Sequence, residues 1–187
     1  MKESIYFFTN TLKKWCLVHK TLISIILAAT ALTLPFSPLN SEILNSTKFY
    51  NEGVKSFKEG DREKALELFI KASKINENYS LAHYGIGRVY LFQENKTEEA
   101  VKHLKKATIL DSSFAKSFFY LGLAQLFTGK YNDSIQSFKK AYEKDITLYD
   151  SLYNISIAYD LKGDRVNSIL YYKKYIYAKE KKDDDIF

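Results

Sequence analysis

The chain has 187 residues and a net charge of +6, with 28 Lys and Arg against 22 Asp and Glu. Its single cysteine, Cys16, excludes an intramolecular disulfide framework; with only three histidines, it also excludes a structural zinc site of four Cys or of two Cys and two His. Two prolines and seven glycines argue against a turn-rich β-sandwich, and an apolar fraction of 46% argues against a disordered chain.

The N-terminal residues have the pattern of an export signal or a membrane anchor. Residues 1–20 form a basic flank, and residues 21–38 form a hydrophobic segment without a charge. The apolar run Leu22–Phe36 is short for a hydrocarbon core of about 30 Å, and Ala29 and Ala31 have the small-x-small spacing that signal peptidases accept. Three alternatives remain: an uncleaved single-pass anchor, a signal cleaved near Ala31, and a buried soluble helix. The first two place the rest of the chain on the extracytoplasmic side, membrane-bound in one case and secreted or periplasmic in the other.

From about position 41 onward, the sequence repeats with a period of about 34 residues. Several columns of the repeat keep their chemical type. One small column is Gly53, Gly87, Gly122 and Ser156, and a second is Ala65, Ala100, Ser134 and Ser168. The large column is Phe69, Leu104, Phe138 and Tyr172, and the Asx column is Asn76, Asp111 and Asp145. This register over several columns predicts a repeat architecture in which a small residue faces a large one at each helix crossing.

Each unit has the pattern of a helix, a short turn and a second helix. Apolar residues recur at spacings of three and four on both sides of a turn signal. The turns are predicted at Gly60, Gly129 and Gly163, where glycine ends a helix in a left-handed conformation, with Asn95 in this role in the second unit. The Asx residues between units are predicted to cap the following turn.

These residues resemble the tetratricopeptide repeat, whose pattern is W-x2-L-G-x2-Y followed by A-x3-F and A. Ile86, Gly87 and Tyr90 match the first part, and Ala65, Phe69 and Ala72 match the second. The resemblance implies an all-α, right-handed α-solenoid of about four repeats. The predicted repeats are 46–79, 80–114, 115–148 and 149–182, followed by a charged tail at 183–187. The fourth repeat departs most from the pattern, as expected of a terminal unit.

The sequence contains no catalytic or metal-binding motif. It lacks a P-loop and an HExxH motif, and the pair Gly85 and Gly87 lies inside a predicted helix, where it indicates packing. His83 and His103 stand alone in the repeat helices and are interpreted as ordinary structural or surface residues. We therefore expect a non-enzymatic protein without cofactor, metal or small-molecule substrate.

The resemblance implies that the first helix of each repeat lines a concave groove, which holds a segment of another protein or peptide. The residues that map to this groove are Tyr50, Val54, Tyr84, Arg88, Lys116, Phe119, Tyr120, Leu123, Tyr153, Asn154 and Ile157. Each aromatic residue among them could instead belong to the core. The subclass that grips a terminal carboxylate uses five Lys, Asn and Arg positions, of which only Lys116 matches here. The expected function is a membrane-tethered scaffold that assists assembly of an envelope or secretion complex.

A second predicted surface is a row of lysines late in each second helix. It consists of Lys71, Lys105, Lys106, Lys139, Lys140, Lys173 and Lys174. Cations at this place stabilise the helix C-terminus, which is the simplest interpretation. The alternative is an adaptor that binds anionic lipid or nucleic acid. The net charge of residues 42–187 is only +3, which argues against nucleic acid.

Overall fold

The structure is a computed structural model that describes residues 38–184, with side chains at position 41 and at positions 43–181. This part of the chain contains eight helices and no strand, which confirms the all-α prediction for it. The helices are α1 (Pro38–Lys58), α2 (Arg62–Ile75), α3 (Ser80–Leu91), α4 (Thr97–Leu110), α5 (Ala115–Phe127), α6 (Tyr131–Lys144), α7 (Asp150–Leu161) and α8 (Arg165–Asp184). The predicted basic flank and nearly all of the hydrophobic segment lie outside the described residues, as does the end of the charged tail.

No helix in residues 38–184 combines the length and the apolar character needed to cross a membrane.

Consecutive helices pack in a linear series, and the packing below concerns the unit that begins at Glu42. Helix α3 packs on α4, α5 on α6 and α7 on α8, and each second helix also packs on the first helix that follows it. In addition, α3 contacts α5, and α5 contacts α7. The first helices are therefore neighbours along one face of the stack.

The turns inside the units have the predicted left-handed residues. Gly60, Gly129 and Gly163 have φ values of +89°, +73° and +85°, and Asn95 has a φ of +56°. At the first of these turns the N–H of Asp61 donates to the carbonyl of Ser56 (3.0 Å), which satisfies a carbonyl at the end of α1. The prediction that Asn95 takes the place of glycine is confirmed.

The Asx column closes the turns between units. The side-chain carboxylate of Asp111 accepts from the N–H of Ser113 (2.9 Å), and that of Asp145 accepts from the N–H of Thr147 (2.9 Å). Asn76 makes the same contact with the N–H of Asn78 (3.0 Å). These side chains satisfy backbone donors that the helices leave unpaired, as the sequence predicts.

Small and large residues meet at the helix crossings. A Cβ atom added to Gly87 would lie 2.5 Å from Cγ of Leu104, and one added to Gly122 would lie 2.8 Å from the ring of Phe138. A Cβ atom added to Gly53 or to Gly85 would lie 2.7 Å from the ring of Phe69. The glycines are required because the large side chain of the second helix occupies the space of a Cβ atom.

The fourth unit breaks this rule. Ser156 stands at the glycine position, and Tyr172, the large residue of the column, is 48% exposed. Its ring lies 6.3 Å from the rings of Tyr153 and Tyr175, measured between centroids. The fourth unit therefore has a serine at the glycine position, and its large residue is half-exposed.

Candidate partner-binding groove

The face formed by the first helices carries the predicted groove residues, and its centre is Arg88 on α3. The guanidinium carbon of Arg88 lies 4.6 Å from the ring centroid of Phe57, 5.3 Å from that of Tyr84 and 4.8 Å from that of Tyr120. These rings come from α1, α3 and α5, so three consecutive units contribute to one contact. We call Phe57, Tyr84, Arg88 and Tyr120 the Arg88 cluster. Aromatic rings around a cation favour it by their electron-rich faces.

Arg88 has no acidic partner among the described residues. The ion pairs there join Lys55 to Glu59, Lys96 to Glu99 and Lys130 to Glu98. The Nε atom of Arg88 is buried and has no hydrogen-bond partner in the described part of the chain. A buried donor of this kind is costly to leave unpaired, and such groups in folded proteins call for an explanation.

A cavity of about 220 Å³ opens beside the Arg88 cluster. It lies between α1, α2 and α3 and is lined by Tyr50, Val54, Phe57, Lys58, Phe69, Tyr84, Gly85 and Arg88. A Cβ atom on Gly85 would lie 2.7 Å from the ring of Phe69, so the glycine allows this ring to form the wall. This confirms the interpretation of Gly85 as a packing residue.

Two tyrosines of this region have little exposed surface: Tyr84 is buried and Tyr50 is part-buried. Tyr84 is only 5% exposed and packs edge-to-face against Phe114 (5.0 Å between centroids) and Tyr120 (5.6 Å). Burial raises the pKa of Tyr84 and, with the nearby Tyr79, raises the pKa of Tyr50. Both hydroxyls are therefore neutral at neutral pH and cannot serve as counter-charges for Arg88.

The third unit continues the groove with part-buried residues. Phe119 contacts Tyr120 and Phe138 edge-to-face, at 5.6 Å between centroids in both cases. Leu123 packs partly against the cores of two units. This part of the groove is an apolar wall, and it adjoins the Arg88 cluster through the contact of Phe119 with Tyr120.

Other predicted groove residues lie apart from the cluster. Lys116 lies beside the carboxylate of Asp145 in the turn before the fourth unit. Tyr153 is 42% exposed and packs against Tyr175, while the amide of Asn154 donates to the carbonyl of Asp150 (2.7 Å). Ile157 is part-buried against the core of the last units. The structure thus brings together Tyr50, Val54, Tyr84, Arg88 and Tyr120, and leaves the remaining residues along the same face.

Sequence reasoning missed Phe57 and Lys58. They follow Val54 by three and four positions, so they share its helix face. This spacing would have identified them. The repeat columns did not, because the positions that correspond to Phe57 in the other units hold Leu91, Leu126 and Asp160.

The predicted lysine row is partly engaged in aromatic contacts. The Nζ atom of Lys71 lies 4.2 Å from the ring centroid of Phe49, and that of Lys174 lies 4.7 Å from that of Tyr171. Lys140 lies in the same way 5.8 Å from Phe118. These contacts give the lysines a structural role in the stack. The anionic-ligand alternative stays an untested prediction.

His83 and His103 lie against each other, so the prediction that each stands alone was wrong, whereas a structural role agrees with the burial of His83. Their Nδ1 atoms lie 3.1 Å apart, and Nε2 of His83 lies 3.0 Å from the carbonyl oxygen of Glu77. A carbonyl only accepts, so Nε2 of His83 carries the hydrogen and its Nδ1 accepts from Nδ1–H of His103. The two positions are 20 residues apart on different helices of one unit, which is why the repeat pattern does not reveal the pair.

Acid should destabilise the fold through this histidine pair. Burial, His83 and the nearby Lys102 and Lys106 lower the pKa of His103 from 6.5 to about 4. Because the pKa of His103 is lower in the folded protein than in the unfolded chain, protonation of His103 favours the unfolded chain. The stability that depends on a neutral His103 is complete above pH 6.5 and is lost as the pH falls toward 4. We expect His103→Gln to reduce the loss of unfolding free energy between about pH 7 and about pH 4.5 by about 1–2 kcal/mol, less than the full shift because solvent reaches the ring.

Urea titration of both proteins at the two pH values measures this difference. The carboxylates of the Asx turns, whose pKa values are lowered by their own hydrogen bonds, are present in both proteins, so their contribution cancels. Equal acid losses in the two proteins would show that the histidine pair is not linked to folding.

Comparison with known proteins finds relatives that contain tetratricopeptide repeats. Residues 81–114 match the family model described as a tetratricopeptide repeat. The small glutamine-rich tetratricopeptide repeat-containing protein 2 of Mycosarcoma maydis is 26% identical over 108 residues, which is 58% of this chain and 30% of that relative. The chain therefore spans less than a third of this curated relative. The matched residues coincide with the second helix pair, α3 and α4.

Solved structures show the same fold. A crystal structure of MamA aligns with a TM-score of 0.70 and 24% identity over 75% of this chain and 81% of the other. The second tetratricopeptide domain of Spaghetti (RPAP3), solved with the HSP90 peptide SRMEEVD, aligns with a TM-score of 0.53 and 28% identity over 56% of this chain and 96% of the other. The described helices therefore form a solenoid like those of tetratricopeptide-repeat proteins.

Proposed function

We propose that this chain is a non-enzymatic scaffold that holds a segment of a partner protein in the groove formed by its first helices. The observation that carries the proposal is the Arg88 cluster, which joins three units around one unpaired cation beside an open cavity. Aromatic side chains and arginine are the residues that dominate binding energy at protein interfaces. The repeat itself is a known interaction module, and the chain would use it in the assembly of an envelope or secretion complex.

The structure with the HSP90 peptide supports the mode of binding but not that ligand. It shows a related domain holding a short peptide. In this chain the five positions of the carboxylate grip hold Tyr50, Val54, Gly85, Lys116 and Tyr120. Only one of these is a cation, so we expect a different partner segment.

A charge introduced into the groove should abolish capture of the partner. Leu123→Glu places a carboxylate in the apolar wall, whereas Ile109→Glu places the same charge on α4 at a position that is 72% exposed. We expect Leu123→Glu to remove the partner from the complex purified from native cells, and Ile109→Glu to retain it.

Thermal unfolding of both variants shows whether the fold is retained, and Tyr153→Ala offers a second groove variant at an exposed side chain. Partners that stay bound to both groove variants and leave with Ile109→Glu would refute a groove on this face.

We propose, in addition, that the hydrophobic segment at residues 21–38 tethers the scaffold to a membrane. The proposal rests on the sequence, with its basic flank and its uncharged apolar run. N-terminal sequencing of the purified protein separates an anchor that begins at Met1 from a cleaved product that begins near Leu32.

A further inference from the structure

We propose that the groove recognises an acidic side chain: Arg88 pairs with the carboxylate of an Asp or Glu in the partner segment, and the neighbouring cavity takes a large apolar side chain beside it. This inference rests on the proposed function, because it names the chemistry of the segment that the groove would hold.

Three aromatic rings surround the guanidinium of Arg88, and the side chain remains part-exposed. The rings of Phe57 and Tyr120 lie within 4.8 Å of the guanidinium carbon and come from helices on either side of α3 in the stack. A planar cation whose faces meet aromatic rings can be approached along its edge, where its N–H groups form a fork. That fork matches the two oxygens of a carboxylate.

The hydrogen bonding of Arg88 is incomplete in the free protein. Its Nε atom is buried without a partner among the described residues, while the side chain as a whole is part-exposed. The neighbouring Tyr84 is neutral, because burial raises its pKa. A carboxylate that contacts the exposed part of the guanidinium would therefore supply the missing counter-charge.

The charge of the cavity has one sign. Its lining contains two cations, Lys58 and Arg88, and no carboxylate. Val54, Phe57 and Phe69 form its apolar part. A volume of about 220 Å³ lies below the roughly 300–1,000 Å³ of pockets for drug-sized ligands, so it suits one large side chain. An acidic residue next to an aromatic or long aliphatic one fits both features.

The carboxylate source is a side chain rather than a chain terminus. The positions that would grip a terminus hold no cation except Lys116, which lines a different pocket together with Asp145. Arg88 alone offers one bidentate contact, which is what a single Asp or Glu side chain needs.

Selection from a displayed library of random peptides tests the inference on the full chain in detergent. Binding peptides are then synthesised with acetylated N-termini and amidated C-termini, and their affinities are measured by fluorescence anisotropy. We expect an Asp or Glu close to an aromatic or long aliphatic residue in the selected peptides. Changing that acid to its amide in the peptide should weaken binding about tenfold or more.

Arg88→Gln should cause a similar loss, and the two changes together should cost no more than either alone. Arg62→Gln is the matched control, because Arg62 also lies over an aromatic ring, Phe92 (5.6 Å), but does not line the cavity. We expect it to change affinity by less than about twofold. The change in the peptide requires no change in the protein, so the inference is tested even where Arg88→Gln fails to fold.

The outcomes separate this inference from the proposed function. Selected peptides that lose binding to Leu123→Glu but show no acidic preference would overturn the inference and leave the groove function standing. The same holds for peptides that lose binding to Leu123→Glu but bind Arg88→Gln as tightly as the wild type. Binding that requires a free terminal carboxylate would overturn the assigned source. Selected peptides that bind Leu123→Glu unchanged would contradict the groove function itself.

Discussion

Phe138→Ala should lower the free energy of unfolding by about 3–5 kcal/mol, the range for removing a fully buried phenylalanine from a core. The side chain of Phe138 has no exposed surface and lies against Gly122 and the ring of Phe119. Its loss would leave a cavity at the crossing of α5 and α6, because both helices are held by neighbours on either side.

Denaturant titration followed by circular dichroism measures this loss. Phe127→Ala is the control, since Phe127 lies on α5 and is 62% exposed. We expect the control to change the unfolding free energy by less than about 1 kcal/mol. A loss of similar size in both variants would contradict a core centred on the repeat columns.

Leu104→Ala should lower the unfolding free energy by about 2–5 kcal/mol. It should also reverse the effect of Gly87→Ala on stability. In the wild type, Gly87→Ala would place a Cβ atom 2.5 Å from Leu104, so we expect it to be destabilising. In the Leu104→Ala background the clash with Leu104 is gone and the carbonyl oxygen of Ala100, at 3.3 Å, remains close, while alanine is the better helix former by about 1 kcal/mol.

A double-mutant cycle by urea unfolding measures this reversal. We expect Gly87→Ala to be neutral or stabilising only when Leu104 is absent. Additive effects of the two substitutions would show that Leu104 does not require a glycine at position 87. The small column of the repeat would then have no explanation in packing.

Local rules explain what the sequence could predict. Gly60, Gly129 and Gly163 were predictable because a helix end in the left-handed conformation favours glycine, and after it asparagine, whatever lies around it. The pairing of Gly122 with Phe138 was predictable because the same crossing recurs in the first three units, so the sequence repeats the glycine and the large residue at nearly the same spacing.

The Arg88 cluster and the histidine pair could not be predicted in this way. Phe57, Arg88 and Tyr120 are separated by 31 and 32 residues, a few less than the repeat, so they occupy different columns and meet through the pitch of the stack. His83 and His103 depend on the rotation of two helices about their axes within one unit. Neither relation is periodic in the sequence, because each occurs once.

Site-directed photo-crosslinking in native cells tests the groove most directly. A photoreactive amino acid is introduced at Val54 and at Tyr153, which lie at opposite ends of the groove, and at the exposed Ile109 on α4. The proposed groove function predicts that one partner protein is attached from both groove positions and not from Ile109. Attachment of that partner from Ile109, with none from Val54 or Tyr153, would contradict it.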